Sequence, residues 1–167
     1  MKSIYLIRHA KSSWDHPYLS DRDRPLNKRG YRDAPRMARH IGSLIEKPEI
    51  LICSPSKRTN ETAEAFLKVF NLPAEQMMQE EELYHAGIRN FVNVLSQLDD
   101  QCSTAMLFSH NPGITEFVNQ LSDSSFDNIP TCGVAAISVD IDEWRDFSGL
   151  GGKLDFYYYP KGLKTNK

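Results

Sequence analysis

Short apolar runs of strand length alternate along this chain with longer stretches whose apolar residues recur every three to four positions. Ser3-Ile4-Tyr5-Leu6-Ile7-Arg8, Glu49-Ile50-Leu51-Ile52-Cys53 and Thr104-Ala105-Met106-Leu107-Phe108-Ser109 are the clearest runs. They are apolar at consecutive positions, which marks strands covered on both faces. Asn27 caps an expected helix to about Ile45, with Ala34, Met37, Ala38, Ile41, Leu44 and Ile45 inward and a kink at Pro35. Ser54 reads as the next cap, with Pro55 at the first helical position of a helix to about Phe70 that turns Ala63, Phe66, Leu67 and Phe70 inward. Residues 87–98 read as a helix through Ile88, Phe91, Val92, Leu95 and Leu98, and Pro112 opens another to about Leu121 through Ile114, Phe117 and Val118. Residues 10–26 read as a loop and 77–81 as a short strand. Residues 134–139 and 153–159 read as antiparallel strands joined across Gly149, Gly151 and Gly152. Such alternation predicts an α/β fold, a three-layer α/β/α sandwich on a mostly parallel sheet with an antiparallel edge strand.

The chain length, 167 residues, suits one domain spanning 1–167. A net charge of -2 speaks against a nucleic-acid or membrane-surface partner. The cationic run Arg22, Arg24, Lys28, Arg29, Arg32, Arg36, Arg39 reads mainly as a solvated helix face. Cys53, Cys102 and Cys132 show no CxxC spacing, which argues against a disulfide framework or structural zinc and for a reducing, cytoplasmic setting. The N-terminus enters a strand after one lysine without a signal-peptide pattern, and no stretch approaches the ~20 apolar residues of a membrane span.

The three clear strand runs end in reactive polar residues: Arg8-His9, then Cys53-Ser54-Pro55-Ser56-Lys57-Arg58, then Ser109-His110-Asn111-Pro112-Gly113. In an open parallel sheet, ligands bind outside the carboxyl ends of the strands. Adjacent parallel strands would bring two arginines, two histidines and two helix N-termini to one edge. That set suits a phosphoryl group, which carries about two negative charges near neutral pH. Guanidinium forks bind its oxygens, and helix N-termini add partial positive charge. A nucleophilic His9 must be neutral, with its other ring nitrogen held by an acceptor such as a backbone carbonyl. Flanking arginines should push its pKa down. Glu80, Glu81 and Glu82 are the available proton donors, with Glu82 best placed and Tyr84 and His85 beside it. His16, His40 and His85 read as solvated or structural, and Asp15, Asp21 and Asp23 as balance for the loop arginines. Cys53 reads as a core thiol, since no CxxxxxR loop follows it. A zinc ion on His9 and His110 would lack a third ligand, so no metal and no cofactor are expected.

Six blocks in order resemble the histidine phosphatase superfamily. Leu6-Ile7-Arg8-His9-Ala10 is similar to its opening Arg-His-Gly motif, with Ala10 in place of glycine. Arg24-Pro25-Leu26-Asn27-Lys28-Arg29-Gly30, Ser54-Pro55 with Arg58, Thr59 and Thr62, and Glu82-Leu83-Tyr84 resemble the next three. Ser109-His110-Asn111-Pro112-Gly113 and Thr131-Cys132-Gly133-Val134-Ala135 resemble the last two. The compact length is closest to SixA-type phosphohistidine phosphatases. The resemblance implies a phosphoglycerate-mutase-like fold and metal-independent phosphatase activity. It implies His9 as the nucleophile that becomes phosphorylated, Arg8, Arg24, Arg58 and His110 as phosphate-binding groups, and Glu82 as a loose match to the acid. The implied substrate is a phosphorylated protein, such as a histidine-phosphotransfer domain. A small phosphate ester and a non-catalytic phosphate-binding module are the competing readings. His9 and His110 together favour the enzyme.

Overall fold

The structure, a computed structural model, describes residues 1–163. Its elements run β1 (Lys2–Arg8), α1 (Lys28–Gly42), β2 (Ile50–Cys53), α2 (Lys57–Val69), β3 (Met77–Gln79), α3 (Ile88–Ser96), β4 (Thr104–Ser109), α4 (Gly113–Ser122), β5 (Val134–Val139) and β6 (Gly152–Tyr158). The six strands form one sheet in the order β3-β2-β4-β1-β5-β6. β1, β2, β3 and β4 pair in parallel, β5 pairs antiparallel with β1, and β6 forms the antiparallel edge beyond β5. The mostly parallel α/β sandwich read from the alternation is the fold observed.

Strand periodicity divides the core between the two faces. Ile4, Leu6, Ile52 and Leu107 pack on one face with Phe91, Leu95, Ile114, Phe117 and Trp144. Tyr5, Ile7, Leu51, Met106 and Phe108 pack on the other with Met37, Ile41, Ala63 and Phe66 from α1 and α2. Successive residues of β1 thus serve opposite layers, which requires apolar side chains at consecutive positions. Cys53 and Cys132 are buried free thiols, and burial pushes both pKa values up. No helix among the described residues is long and apolar enough to cross a membrane.

Several local expectations change. Helix α1 is capped as expected, with the Asn27 side chain accepting from the Gly30 N–H, and it runs on through Pro35. It ends at Gly42, so Leu44 lies outside it and is 46% exposed. Helix α2 starts at Lys57 with Ser56 as its cap, accepting from the Thr59 N–H. Pro55 lies outside the helix, and the Ser54 hydroxyl meets His110 instead of capping α2. The third strand stops at Gln79, and the glutamates fold into a 3-10 turn at Glu81–Leu83.

The register sets the geometry of the site. Arg8 lies opposite Ser109, and Cys53 lies opposite Phe108. The carboxyl ends of β1, β4 and β2 are therefore neighbours, and the polar residues that follow each of them emerge at one sheet edge.

Candidate active site

The end of β1 is clamped from both sides. On one side the His9 N–H donates to the Ser109 carbonyl at 3.2 Å. On the other the Arg8 N–H donates to the Gly133 carbonyl at 3.1 Å, and the Cys132 N–H donates to the carbonyls of both Arg8 and His9 at 3.0 Å. Cys132 pays for this turn with a left-handed backbone, φ 62. A Cβ on Gly133 would lie 2.7 Å from Ile129 Cγ2 and 2.9 Å from the Pro130 carbonyl, so the clamp needs glycine there. The same loop takes a hydrogen bond from Arg8, Nη1 to the Ile129 carbonyl at 2.9 Å.

His9 is 8% exposed. Its Nδ1 lies 2.7 Å from the Ala10 carbonyl, which can only accept, so Nδ1 carries the proton and Nε2 keeps its lone pair. The Ala10 N–H donates to Thr62 Oγ1, whose hydroxyl donates to the Arg58 carbonyl, tying the His9 loop to the first turns of α2. Burial is the largest cause that lowers the His9 pKa, to about 3; the charges of His110, Arg58 and Arg8 act in the same direction and the Ala10 hydrogen bond opposes them. The flanking arginines lower it as their charge predicts, and burial outweighs them because desolvation of a ring this enclosed disfavours imidazolium by itself.

His110 follows β4 at the same edge, its ring centroid 5.4 Å from that of His9. Its Nε2 meets the Ser54 hydroxyl at 2.7 Å and its Nδ1 lies 3.3 Å from Arg58 Nη2. Burial and then the Arg58 charge lower its pKa to about 3 against the opposing charge of Asp21.

Arg58 and Arg24 converge from α2 and from the loop before α1. One carboxylate joins them: Asp21 accepts from Arg58 Nη2 at 3.0 Å and from Arg24 Nη2 at 3.3 Å, and from the Tyr84 hydroxyl. Its backbone carbonyl also accepts from Arg58 Nη1 at 2.6 Å. Arg24 further donates to Ser12 Oγ at 2.7 Å and packs its guanidinium 3.7 Å over the Trp14 ring. These contacts use the Nη ends of the arginines. The Nε–H groups of Arg8, Arg24 and Arg58 are buried and have no hydrogen-bond partner among the described residues.

His9, Arg8, Arg58, His110 and Arg24 are thus brought together, and Glu82 is not. The Glu81–Leu83 turn sends Glu82 toward α3, where it accepts from Asn90 Nδ2 at 3.4 Å beside a cavity lined by Ile52, Met78, Val94 and Leu98. Glu81 forms a forked pair with Arg22 at 2.7 and 3.0 Å, and Glu80 caps the turn. Two residues reach the cluster from this segment: the Tyr84 ring stands edge-on to His110 at 5.5 Å, and the His85 ring stacks on it at 6.4 Å. Glu82→Gln is accordingly expected to leave kcat/KM on an aryl phosphate within about threefold. A proton donor would cost roughly 10²–10⁴-fold, and a loss of that size would return Glu82 to the reaction.

Asp21 and Ser54 were legible in part at best. Asp21 stands three residues before Arg24, a spacing that suggests the local ion pair, but its grip on Arg58 spans 37 positions of chain. Ser54 carried a cap signature that hid its bond to His110. Among the described residues no group of three or more His, Cys, Asp or Glu could hold a metal ion.

The two depressed histidines make stability depend on pH. An unfolded histidine binds its proton near 6.5, whereas His9 and His110 in the fold do so at about 3. Between these values the unfolded chain holds more protons, so stability is complete above about 6.5 and falls as pH drops, by up to about 1.4 kcal/mol per pH unit for each histidine. Urea unfolding between pH 7 and 5 should show a shallower slope in His110→Gln than in the wild type. An unchanged slope would remove His110 as its source.

Residues 4–90 match the sequence profile of the histidine phosphatase superfamily (branch 1). The chain is 31% identical to an uncharacterised chloroplastic protein of Arabidopsis thaliana over 165 residues, covering 90% of this chain and 72% of that protein. In fold it is similar to the protein histidine phosphatase SixA solved with tungstate, with a TM-score of 0.82, 22% identity and coverage of 97% of this chain and 99% of the other. It is also similar to a mycobacterial glucosyl-3-phosphoglycerate phosphatase solved with VO3, with a TM-score of 0.71, 12% identity and coverage of 93% and 98%. Sequence profile and relative agree with the motifs at the sheet edge: the chain belongs to the histidine phosphatase superfamily, branch 1.

Proposed function

We propose that the chain is a single-domain, metal-independent phosphatase that works through a phosphorylated His9 and takes its phosphoryl group from a protein, as phosphohistidine. The observation that carries this reading is the set of three buried, unpartnered arginine Nε–H groups around a neutral histidine whose Nε2 is free. Buried donors without acceptors are costly, and the oxygens of a phosphoryl group are acceptors of the kind these donors lack. The charges agree as well: Arg8, Arg24 and Arg58 less Asp21 leave two positive charges against a phosphoryl dianion.

In the first step His9 Nε2 attacks phosphorus in line, a P–N bond forms, and the bond to the leaving atom breaks. The leaving atom keeps the electron pair and takes up a proton. The Ala10 carbonyl holds the positive charge that develops on the His9 ring through Nδ1–H. Arg8, Arg24, Arg58 and His110 hold the equatorial oxygens, where phosphoryl transfer needs charge stabilisation. In the second step water attacks phosphorus and loses a proton to solvent, the P–N bond breaks with its electron pair returning to His9 Nε2, and inorganic phosphate leaves. A leaving imidazole is protonated readily, so the absence of Glu82 from the cluster suits phosphohistidine better than an alkyl phosphate.

A protein-borne phosphoryl group is further supported by the rim. Trp14 is 72% exposed and Tyr18 is 81% exposed on the loop that carries Arg24. Exposed aromatic residues beside a polar pocket are the residue types that anchor protein interfaces. The free thiols Cys53, Cys102 and Cys132 fit a reducing, cytoplasmic setting.

The test compares a phosphohistidine-bearing phosphotransfer domain with p-nitrophenyl phosphate. Wild type should turn over the protein with the higher kcat/KM and His9→Ala should turn over neither. Tyr18→Ala, which removes an exposed ring packed on His16, should lower kcat/KM about tenfold on the protein and leave the small ester unchanged, the size of one interface anchor. Preference for small esters would put them in the place of the protein. Phosphate binding without turnover in the wild type would leave a binding module.

A further inference from the structure

Asn111, Thr115 and Asn119 recur at intervals of four residues, the first just before α4 and the others within it. That spacing places neighbours one helical turn apart, and all three side chains bond to the segment that joins α4 to β5. The Phe126 N–H donates to Asn119 Oδ1 at 2.8 Å, and Asn119 Nδ2 donates to the Phe126 carbonyl at 2.9 Å. Thr115 Oγ1 accepts from the Ile129 N–H at 3.0 Å and donates to Asn111 Oδ1 at 2.8 Å. Asn111 Nδ2 donates to the Ile129 carbonyl at 3.0 Å and to Asn128 Oδ1 at 2.6 Å. The backbone of Ile129 is therefore held at its N–H by Thr115 and at its carbonyl by Asn111, while its side chain is fully buried.

That carbonyl has a second task. A carbonyl oxygen accepts twice, and its other bond comes from Arg8 Nη1 at 2.9 Å, the one hydrogen bond of the Arg8 side chain among the described residues. Nη1 is the terminal nitrogen on the Cδ side of a guanidinium. Anchoring it leaves Nε–H and Nη2 as a single edge with two parallel donors, the edge that grips an oxyanion bidentately. The Arg8 Nε–H on that edge is buried and unpartnered.

We propose that Asn111 and Thr115 are positioning residues for Arg8: they fix the Ile129 carbonyl, and that carbonyl stops the guanidinium from turning, so that its Nε–Nη2 edge faces the phosphoryl group. The catalytic half of this inference rests on the phosphatase reading; the anchoring of Arg8 does not. An unanchored Arg8 still brings its charge to a bound dianion, but its two donors no longer stand where the transferring group needs them. The loss therefore falls on kcat more than on KM.

The anchoring is read by ¹³C-detected ¹³C–¹⁵Nη correlation spectra of the arginine-labelled protein in phosphate-free buffer, with Arg8 assigned by the signals lost in Arg8→Lys. Hindered rotation about Nε–Cζ in the wild type should keep Nη1 and Nη2 of Arg8 as two signals. Asn111→Ala and Thr115→Val should merge them, and Thr115→Ser, which keeps the hydroxyl, should restore two. Urea unfolding shows which variants are folded; Asn111 is half-buried and lies outside the helix, so its variant decides the matter where Thr115→Val fails to fold. In turnover of p-nitrophenyl phosphate, Asn111→Ala and Thr115→Val should lower kcat about tenfold, less than the roughly 10²-fold that a misplacement of about 1 Å can cost, with Thr115→Ser recovering most of it. Arg8 signals already averaged in the wild type, signals still resolved in Asn111→Ala, or merged signals with unchanged kcat would each overturn the inference. A loss in Thr115→Val that Thr115→Ser does not restore would remove Thr115 from it. A wild type inert toward every phosphate ester and phosphohistidine would count against the phosphatase reading alone, because the spectra need no turnover.

Discussion

Replacing His9 with alanine is expected to lower turnover by at least about 10⁴-fold, in the range seen when a covalent nucleophile is removed, and to abolish the phosphorylated enzyme. Among the described residues His9 Nε2 is the imidazole lone pair beside the arginines that the hydrogen bonds leave free: its Nδ1–H is committed to the Ala10 carbonyl, and His110 has Ser54 and Arg58 at its two nitrogens. The fold should survive, since His9 sits beyond the last residue of β1 and the clamp on its backbone comes from Ser109 and Cys132. Rapid quench with ³²P-labelled substrate should trap an acid-labile, base-stable phosphoenzyme in the wild type and none in His9→Ala. Label retained in the variant would move the nucleophile elsewhere. Inorganic phosphate should still bind the variant, because the three arginines remain.

Arg58→Ala is expected to cost about 10³-fold in kcat/KM, the low end of the range for an arginine that stabilises a transferring phosphoryl group. The effect exceeds that of one lost charge because Arg58 has several partners. Its guanidinium bridges the Asp21 carboxylate, the Asp21 backbone carbonyl and His110. Without the guanidinium, Asp21 would face the substrate with one fewer arginine to balance it. Arg58→Lys should recover less than a tenth of the loss, since an ammonium cannot reach Asp21, His110 and a phosphoryl oxygen as a planar fork does. Steady-state kinetics with inhibition by inorganic phosphate checks both variants: the apparent Ki for phosphate should rise with the loss in kcat/KM. A lysine variant as active as the wild type would show that a point charge is enough.

Most of the architecture is legible in local pattern. Consecutive apolar residues in β1, β2 and β4 signal strands buried on both faces, and parallel strands buried in this way require helices above and below. The ends of α1 and α2 are less legible. Leu44 fits the helical period but lies past Gly42, because period alone does not say where a helix stops. Ser54-Pro55 has the composition of a cap, but a cap needs an unoccupied hydroxyl, and the Ser54 hydroxyl is engaged by a histidine 56 positions away. The glutamate run shows the same limit. Any of Glu80, Glu81 and Glu82 suits a proton donor by residue type, yet the turn directs Glu81 to Arg22 and Glu82 to Asn90, and it is Tyr84 and His85 that face the cluster.

By itself the chain determines which chemistry is possible. Arg8-His9, Arg58 and His110 each follow a strand, and a parallel sheet carries such residues to one edge because its strand ends must lie together. Tertiary structure decides what state those residues are in. Burial, more than the neighbouring arginines, keeps His9 neutral, and a backbone carbonyl chooses its tautomer. Asp21, read from the sequence as loop ballast, gathers Arg24, Arg58 and Tyr84 around one carboxylate. Protonation and hydrogen-bond direction depend on solvent exclusion and on partners brought together by the sheet register, and no local pattern encodes either.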